Sequence, residues 1–88
     1  MKIIYSRAIS KDVRKIKDKS LQQDITKIIN DLKAARSIKE LKNTKKLIGF
    51  KDAYRIKIGK YRLGFFLEDD SIFLARLVKR GEIYKVFP

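Results

Sequence analysis

Apolar residues recur at helical spacing through the first half of the chain and at alternate positions later on, so the pattern predicts helices followed by strands. The N-terminus stands apart: Ile3, Ile4 and Tyr5 form a β-branched and aromatic run that suits a short strand. Ser10 is placed to cap a short helix in which Val13 and Ile16 share one side while Lys11, Arg14, Lys15 and Lys17 face water. Ser20 and Gln23 make a capping-box pattern, and Leu21, Ile25, Ile28, Ile29 and Leu32 follow at helical spacing to about Ala35. From Ser37 to Asp52 the pattern weakens. Ser37 and Glu40 allow one helical turn, and Leu41, Leu47, Ile48 and Phe50 read as apolar anchors in an ordered crossing segment.

Beyond Asp52 the alternation becomes regular. Tyr54, Ile56 and Ile58 fall on one face of a strand, with Arg55 and Lys57 on the other. Gly59-Lys60 is a two-residue turn with glycine first, as a type II′ hairpin prefers, and Tyr61 to Glu68 forms the return strand. Asp69-Asp70 makes the next reversal, Ile72 to Val78 is a third strand, and Ile83, Tyr84, Val86 and Phe87 make the tail too apolar to hang free. The two amphipathic helices need a surface to cover, and the sheet is the one available. The predicted fold is therefore α+β, with an N-terminal strand and an αα-hairpin packed on one face of a C-terminal antiparallel sheet.

Composition narrows the chemistry. With 88 residues the chain is expected to be one domain spanning 1–88. Neither cysteine nor histidine occurs, which argues against disulfides, imidazole catalysis and most transition-metal sites, so neither metal nor cofactor is expected. No apolar run has signal-peptide or membrane-spanning length, which predicts a cytoplasmic protein without a membrane partner. The net charge is +13, with ten cations against four anions in residues 1–36 and thirteen against six in residues 37–88. The excess is spread over both halves, so a nucleic-acid partner is expected for the folded surface rather than for a basic tail.

The hairpin turn fixes a register that makes this expectation local. Ile58 should face Tyr61, Lys57 should face Arg62, Ile56 should face Leu63, and Arg55 should face Gly64. Like charges directly opposite one another destabilise an antiparallel pair, so Lys57 and Arg62, with Arg55 nearby, call for an anion. Gly64 is read as an opening on that face for the close approach of a ligand. A plain solvated sheet face is the competing explanation of the same residues. Lys79 and Arg80 add cations at the end of the third strand. Tyr84 could stack on a base or, as a lone aromatic, pack the tail.

The runs Asp52-Ala53-Tyr54-Arg55-Ile56-Lys57-Ile58-Gly59-Lys60-Tyr61-Arg62-Leu63 and Leu74-Ala75-Arg76-Leu77-Val78-Lys79-Arg80-Gly81-Glu82-Ile83-Tyr84 resemble the RelE/ParE toxin superfamily, its RelE branch in particular. The resemblance implies a type II toxin that cuts messenger RNA in the ribosomal A site and is restrained by a cognate antitoxin. It implies that Arg55, Lys57, Arg62, Arg80 and Tyr84 stand at active-site positions. Lys79, Lys60 and Arg76 are the expected flanking contacts to RNA. Arg55 stands where a lysine is common in the family, and Lys79 where many relatives carry histidine.

Cleavage of RNA by its own 2′-hydroxyl needs a base, positive charge on the phosphorane and a proton for the 5′-oxygen. Lys57 is the candidate base, since surrounding arginines disfavour its charged form. Arg62 and Arg55 would clamp the phosphate, Arg80 would stabilise the leaving oxygen, and Tyr84 would orient a base. Two alternatives remain open at this point: a ParE-like toxin that inhibits DNA gyrase without nuclease action, and a non-catalytic RNA- or ribosome-binding module.

Overall fold

The computed structural model describes residues 1–88. Their order is β1 (Lys2–Tyr5), α1 (Arg7–Arg14), α2 (Lys19–Ala34), a 3-10 turn (Ile38–Glu40), β2 (Thr44–Lys46), β3 (Ala53–Ile58), β4 (Tyr61–Glu68), β5 (Ser71–Lys79) and α3 (Ile83–Val86). Five strands form one sheet in the order β1-β5-β4-β3-β2, antiparallel except where β1 runs alongside β5. This is the α+β arrangement the hydrophobic pattern predicts.

Gly59 has φ of +57°, the positive value that the first residue of a type II′ turn requires. The register follows as expected, with Ile58 opposite Tyr61, Lys57 opposite Arg62, Ile56 opposite Leu63 and Arg55 opposite Gly64. Thr44–Lys46, expected only as part of a crossing segment, pairs with β3 as the edge strand β2. Three residues of Thr-Lys-Lys hold too little apolar alternation to be told from loop.

Both helix starts differ from the sequence reading. Ser6 rather than Ser10 caps α1, its Oγ accepting the Ile9 N–H at 2.9 Å. Asp18 rather than Ser20 caps α2, accepting from the N–H groups of Ser20 at 2.9 Å and Leu21 at 3.2 Å. An ionised carboxylate is the stronger acceptor for these orphan donors, which places the helix start two residues earlier. The turn at Ser37 and Glu40 does form a full capping box.

Where β1 stops opposite Leu74, the outer edge of β5 would lie open. The cap and body of α1 close it: Ser6 N–H donates to Leu74 O at 3.1 Å, Ser6 Oγ donates to Ala75 O at 2.9 Å, and Asp12 Oδ2 accepts the Leu77 N–H at 2.9 Å. Ile9, Ile16, Ile25 and Leu32 from the helical half then bury against Ile56, Ile58, Leu63, Phe65, Ile72, Leu74 and Leu77. The opposite face carries a second, smaller core of Leu47, Ala53, Ala75, Ile83 and Phe87. Burial of Ile83 and Phe87, each worth roughly 1.5–3 kcal/mol, holds the tail on the sheet as its composition predicts. No helix is long and apolar enough to cross a membrane.

Candidate active site

The face carrying the second core also carries the cations. Cross-strand partners share a face, so Lys57 and Arg62 stand together, and Arg55 stands in the next row beside Gly64. The backbone N–H of Arg80 donates to Lys60 O at 2.9 Å, which brings the end of β5 to the hairpin tip. From there Gly81 and Glu82 lead into α3, which displays Tyr84 with 64% of its surface exposed. Tyr84 is thus no core residue: Ile83 and Phe87, on either side of it, do the anchoring.

Arg62 lies at the centre. It is buried, and its Nη1 donates to Gly59 O at 3.0 Å and Tyr61 O at 2.9 Å, folding the side chain back on the turn. Burial lowers its pKa from the ordinary value, and the positive charges of Arg55 and Arg80 lower it further, with Tyr84 acting in the opposite sense. Arg55, Arg62, Arg80 and Tyr84 are four of the five groups the sequence proposed as one site, and the fifth, Lys57, enters only as the cross-strand partner of Arg62. None of Arg55, Lys57, Arg62 and Arg80 has a carboxylate partner, because the three ion pairs are Lys27–Asp31, Arg76–Asp12 and Lys85–Glu82. Arg55 Nε is buried and hydrogen-bonds to no group of the protein. Arg55 and Tyr84 line a cleft of about 560 Å³ together with Lys45, Lys46, Ile48, Phe50 and Phe87.

Three sequence expectations are corrected here. Gly64 does not open the face to a ligand: the ring of Phe87 fills the space, and a Cβ on Gly64 would come within 2.6 Å of Phe87 Cδ2. Arg76 is not a free RNA contact, since its Nε and Nη2 hold the Asp12 carboxylate at 2.8 and 3.2 Å, a hydrogen bond that raises the Arg76 pKa. Ile48 and Phe50 are not anchors. Phe50 N–H donates to Leu47 O at 3.3 Å and Gly49 has φ of +85°, a tight turn that buries Leu47 and turns Ile48 out to 99% exposure.

The remaining candidates are dispersed. Lys57 is exposed opposite Arg62, and Lys60 is exposed at the hairpin tip. Lys79 pairs with Tyr61 one position from the Arg62–Val78 pair, so strand alternation turns it to the other face. Sequence reasoning missed Lys45, which pairs with Arg55 across β2 and β3 and extends the cationic rows. The only signal for it was a Lys-Lys pair in a segment without periodicity.

Comparison with known proteins identifies the family and matches the fold. The family described as the ParE toxin of the type II toxin–antitoxin system, parDE, matches residues 3–84. Toxin RelE3 of Methanocaldococcus jannaschii is 32% identical over 89 residues, covering 100% of both chains. Among solved structures, the RelB-RelE antitoxin–toxin complex from Methanococcus jannaschii contains a chain with TM-score 0.81 and 29% identity, covering 97% of this chain and 99% of that one. A chain of the intact E. coli RelBE toxin–antitoxin complex superposes with TM-score 0.65 at 26% identity, over 89% of this chain and 94% of that one. With a family match over residues 3–84 and a relative 32% identical over its whole length, the chain belongs to the RelE/ParE superfamily of type II toxin–antitoxin toxins.

Proposed function

We propose that the protein is a ribosome-dependent endoribonuclease that cuts messenger RNA in the A site, without metal, and is held inactive by a cognate antitoxin. The observation that carries this reading is the convergence of Arg55 and Arg80 on buried Arg62, with no carboxylate among them and with exposed Tyr84 beside them. Such a cluster destabilises the free protein and is relieved by a phosphate, more so by the extra negative charge of a phosphorane.

Lys57 takes the proton of the RNA 2′-hydroxyl, and the 2′-oxygen attacks the adjacent phosphorus. Arg62, held by its two carbonyl bonds, and Arg55 beside it stabilise the pentacoordinate phosphate. The bond to the 5′-oxygen breaks, Arg80 stabilises that oxygen, and a proton delivered through water completes a 2′,3′-cyclic phosphate and a 5′-hydroxyl. Tyr84 stacks on a base and sets the attack angle. Lys60 and Lys79 lie outside the reacting centre and serve the surrounding ribosomal RNA.

An antitoxin follows from the company the relatives keep, since RelE chains of Methanococcus jannaschii and E. coli are known in complex with RelB. Its expected character is acidic, to answer the charge of +13. The ParE description of the matched family keeps gyrase inhibition as the second reading. Added to a translating extract, the wild-type protein should cut the message, and Lys57→Ala should lower the rate at least ~100-fold with the fold preserved, because Lys57 is exposed. An uncut message together with inhibited supercoiling would establish the gyrase reading instead.

A further inference from the structure

The cationic face does not end at the proposed reacting centre. Lys45 faces Arg55 across β2 and β3, one row on from Lys57 and Arg62. Same-face residues two apart on a strand are separated by roughly 7 Å, close to the span between neighbouring phosphates of an extended single strand. Past Lys45 the chain turns at Leu47–Phe50, where buried Leu47 ties the turn to the sheet. That turn displays Ile48 almost wholly to solvent and leaves Phe50 half exposed. Phe50, Ile48, Lys45, Arg55 and Tyr84 all line the same cleft, and no acidic residue lines it.

An isoleucine at 99% exposure beside a half-exposed phenylalanine costs solubility and adds nothing to either core. Aromatic rings set among cations are what single-stranded nucleic acid requires: the rings receive bases and the cations track the backbone. We propose that this cleft is a second nucleotide subsite, in which Phe50, flanked by Ile48, is the platform for a base of the RNA strand next to the one met by Tyr84, and Lys45 with Arg55 binds the intervening phosphate. The subsite rests on the nuclease reading for its place along the message and shares Arg55 with the proposed reacting centre, whereas Phe50, Ile48 and Lys45 belong to the subsite alone. Phe50 is a specificity-determining residue in this account. Turn geometry places it, because Gly49 at φ +85° lets Phe50 return toward the cleft after the corner at Ile48.

The test uses Phe50→Ala, Phe50→Trp and Ile48→Ala, all in an exposed turn, with far-ultraviolet circular dichroism as the control of folding. Anisotropy of a labelled single-stranded RNA tetranucleotide should show about tenfold weaker binding for Phe50→Ala, a smaller loss for Ile48→Ala and near wild-type binding for Phe50→Trp. In a translating extract, Phe50→Ala should raise the half-saturating concentration of message-loaded ribosomes and redistribute the cut positions, with the maximal rate little changed. Equal binding by wild type and Phe50→Ala overturns the subsite, as does a loss that Phe50→Trp shares. A Phe50→Ala protein that binds RNA normally yet loses affinity for an acidic antitoxin also overturns it, by assigning the patch to protein. If the wild type binds the tetranucleotide through Phe50 and cuts no message, the nuclease reading falls while the subsite stands.

Discussion

Phe87 and Gly64 are fitted to each other: the Phe87 ring lies over the glycine backbone so closely that an added Cβ would stand 2.6 Å from Cδ2 and 2.7 Å from Cγ. The same ring meets Phe66 at a centroid distance of 5.0 Å. Glycine here makes room for the tail that carries Tyr84 rather than for substrate.

Gly64→Ala should therefore overpack this contact and cost about 1–3 kcal/mol. In a thermal melt that is a fall in Tm on the order of 4–8 °C per kcal/mol for a chain of this size. In a Phe87→Ala background the ring is gone, and adding Gly64→Ala should cost less than ~0.5 kcal/mol. Additive losses in this double-mutant cycle would show that the two residues do not depend on each other.

Asp12 is the acid on which the open edge of β5 depends. It is buried, and it accepts from Arg76 Nε at 2.8 Å, Arg76 Nη2 at 3.2 Å and Leu77 N–H at 2.9 Å. Asp12→Ala orphans both a guanidinium and a backbone donor, so its cost should be about 3 kcal/mol. Arg76→Ala leaves the buried Asp12 carboxylate with the Leu77 N–H alone, so it should cost a comparable amount, about 3 kcal/mol. Urea titration of the two variants checks both costs. Arg76→Ala should also leave message cleavage unchanged, which separates this ion pair from the catalytic cluster.

The hairpin was legible in the sequence because a two-residue turn with glycine first permits one register, and that register alone brings Lys57 to Arg62 and Arg55 to Gly64. The helical half was legible through its periodicity, although the caps were misplaced because Ser6 and Asp18 compete with later serines for the same orphan donors. What could not be read depends on contacts distant in the chain. Asp12 and Arg76 are 64 residues apart, and the filling of the Gly64 gap depends on a tail whose path the local pattern does not fix. For the same reason Ile48 and Phe50 looked like core, since hydrophobicity does not distinguish a residue packed inside a turn from one displayed by it.

Lys57→Arg distinguishes proton transfer from phosphate binding. Arginine keeps the charge and reach of lysine but does not give up its proton, so the variant should bind the ribosome with near wild-type affinity and cut at least ~100-fold more slowly. Cleavage at the wild-type rate would reduce Lys57 to an electrostatic contact and leave the 2′-hydroxyl to another base.

The most direct test of the central claim is the chemistry of the ends left on a message. In a translating extract given the wild-type protein, primer extension should map cuts to the codon in the A site, with a 2′,3′-cyclic phosphate on the upstream fragment and a 5′-hydroxyl on the downstream one. Arg55→Ala and Lys57→Ala should remove those ends. An intact message, or fragments ending in a 3′-hydroxyl and a 5′-phosphate, would contradict the assignment of this cation cluster to 2′-hydroxyl attack.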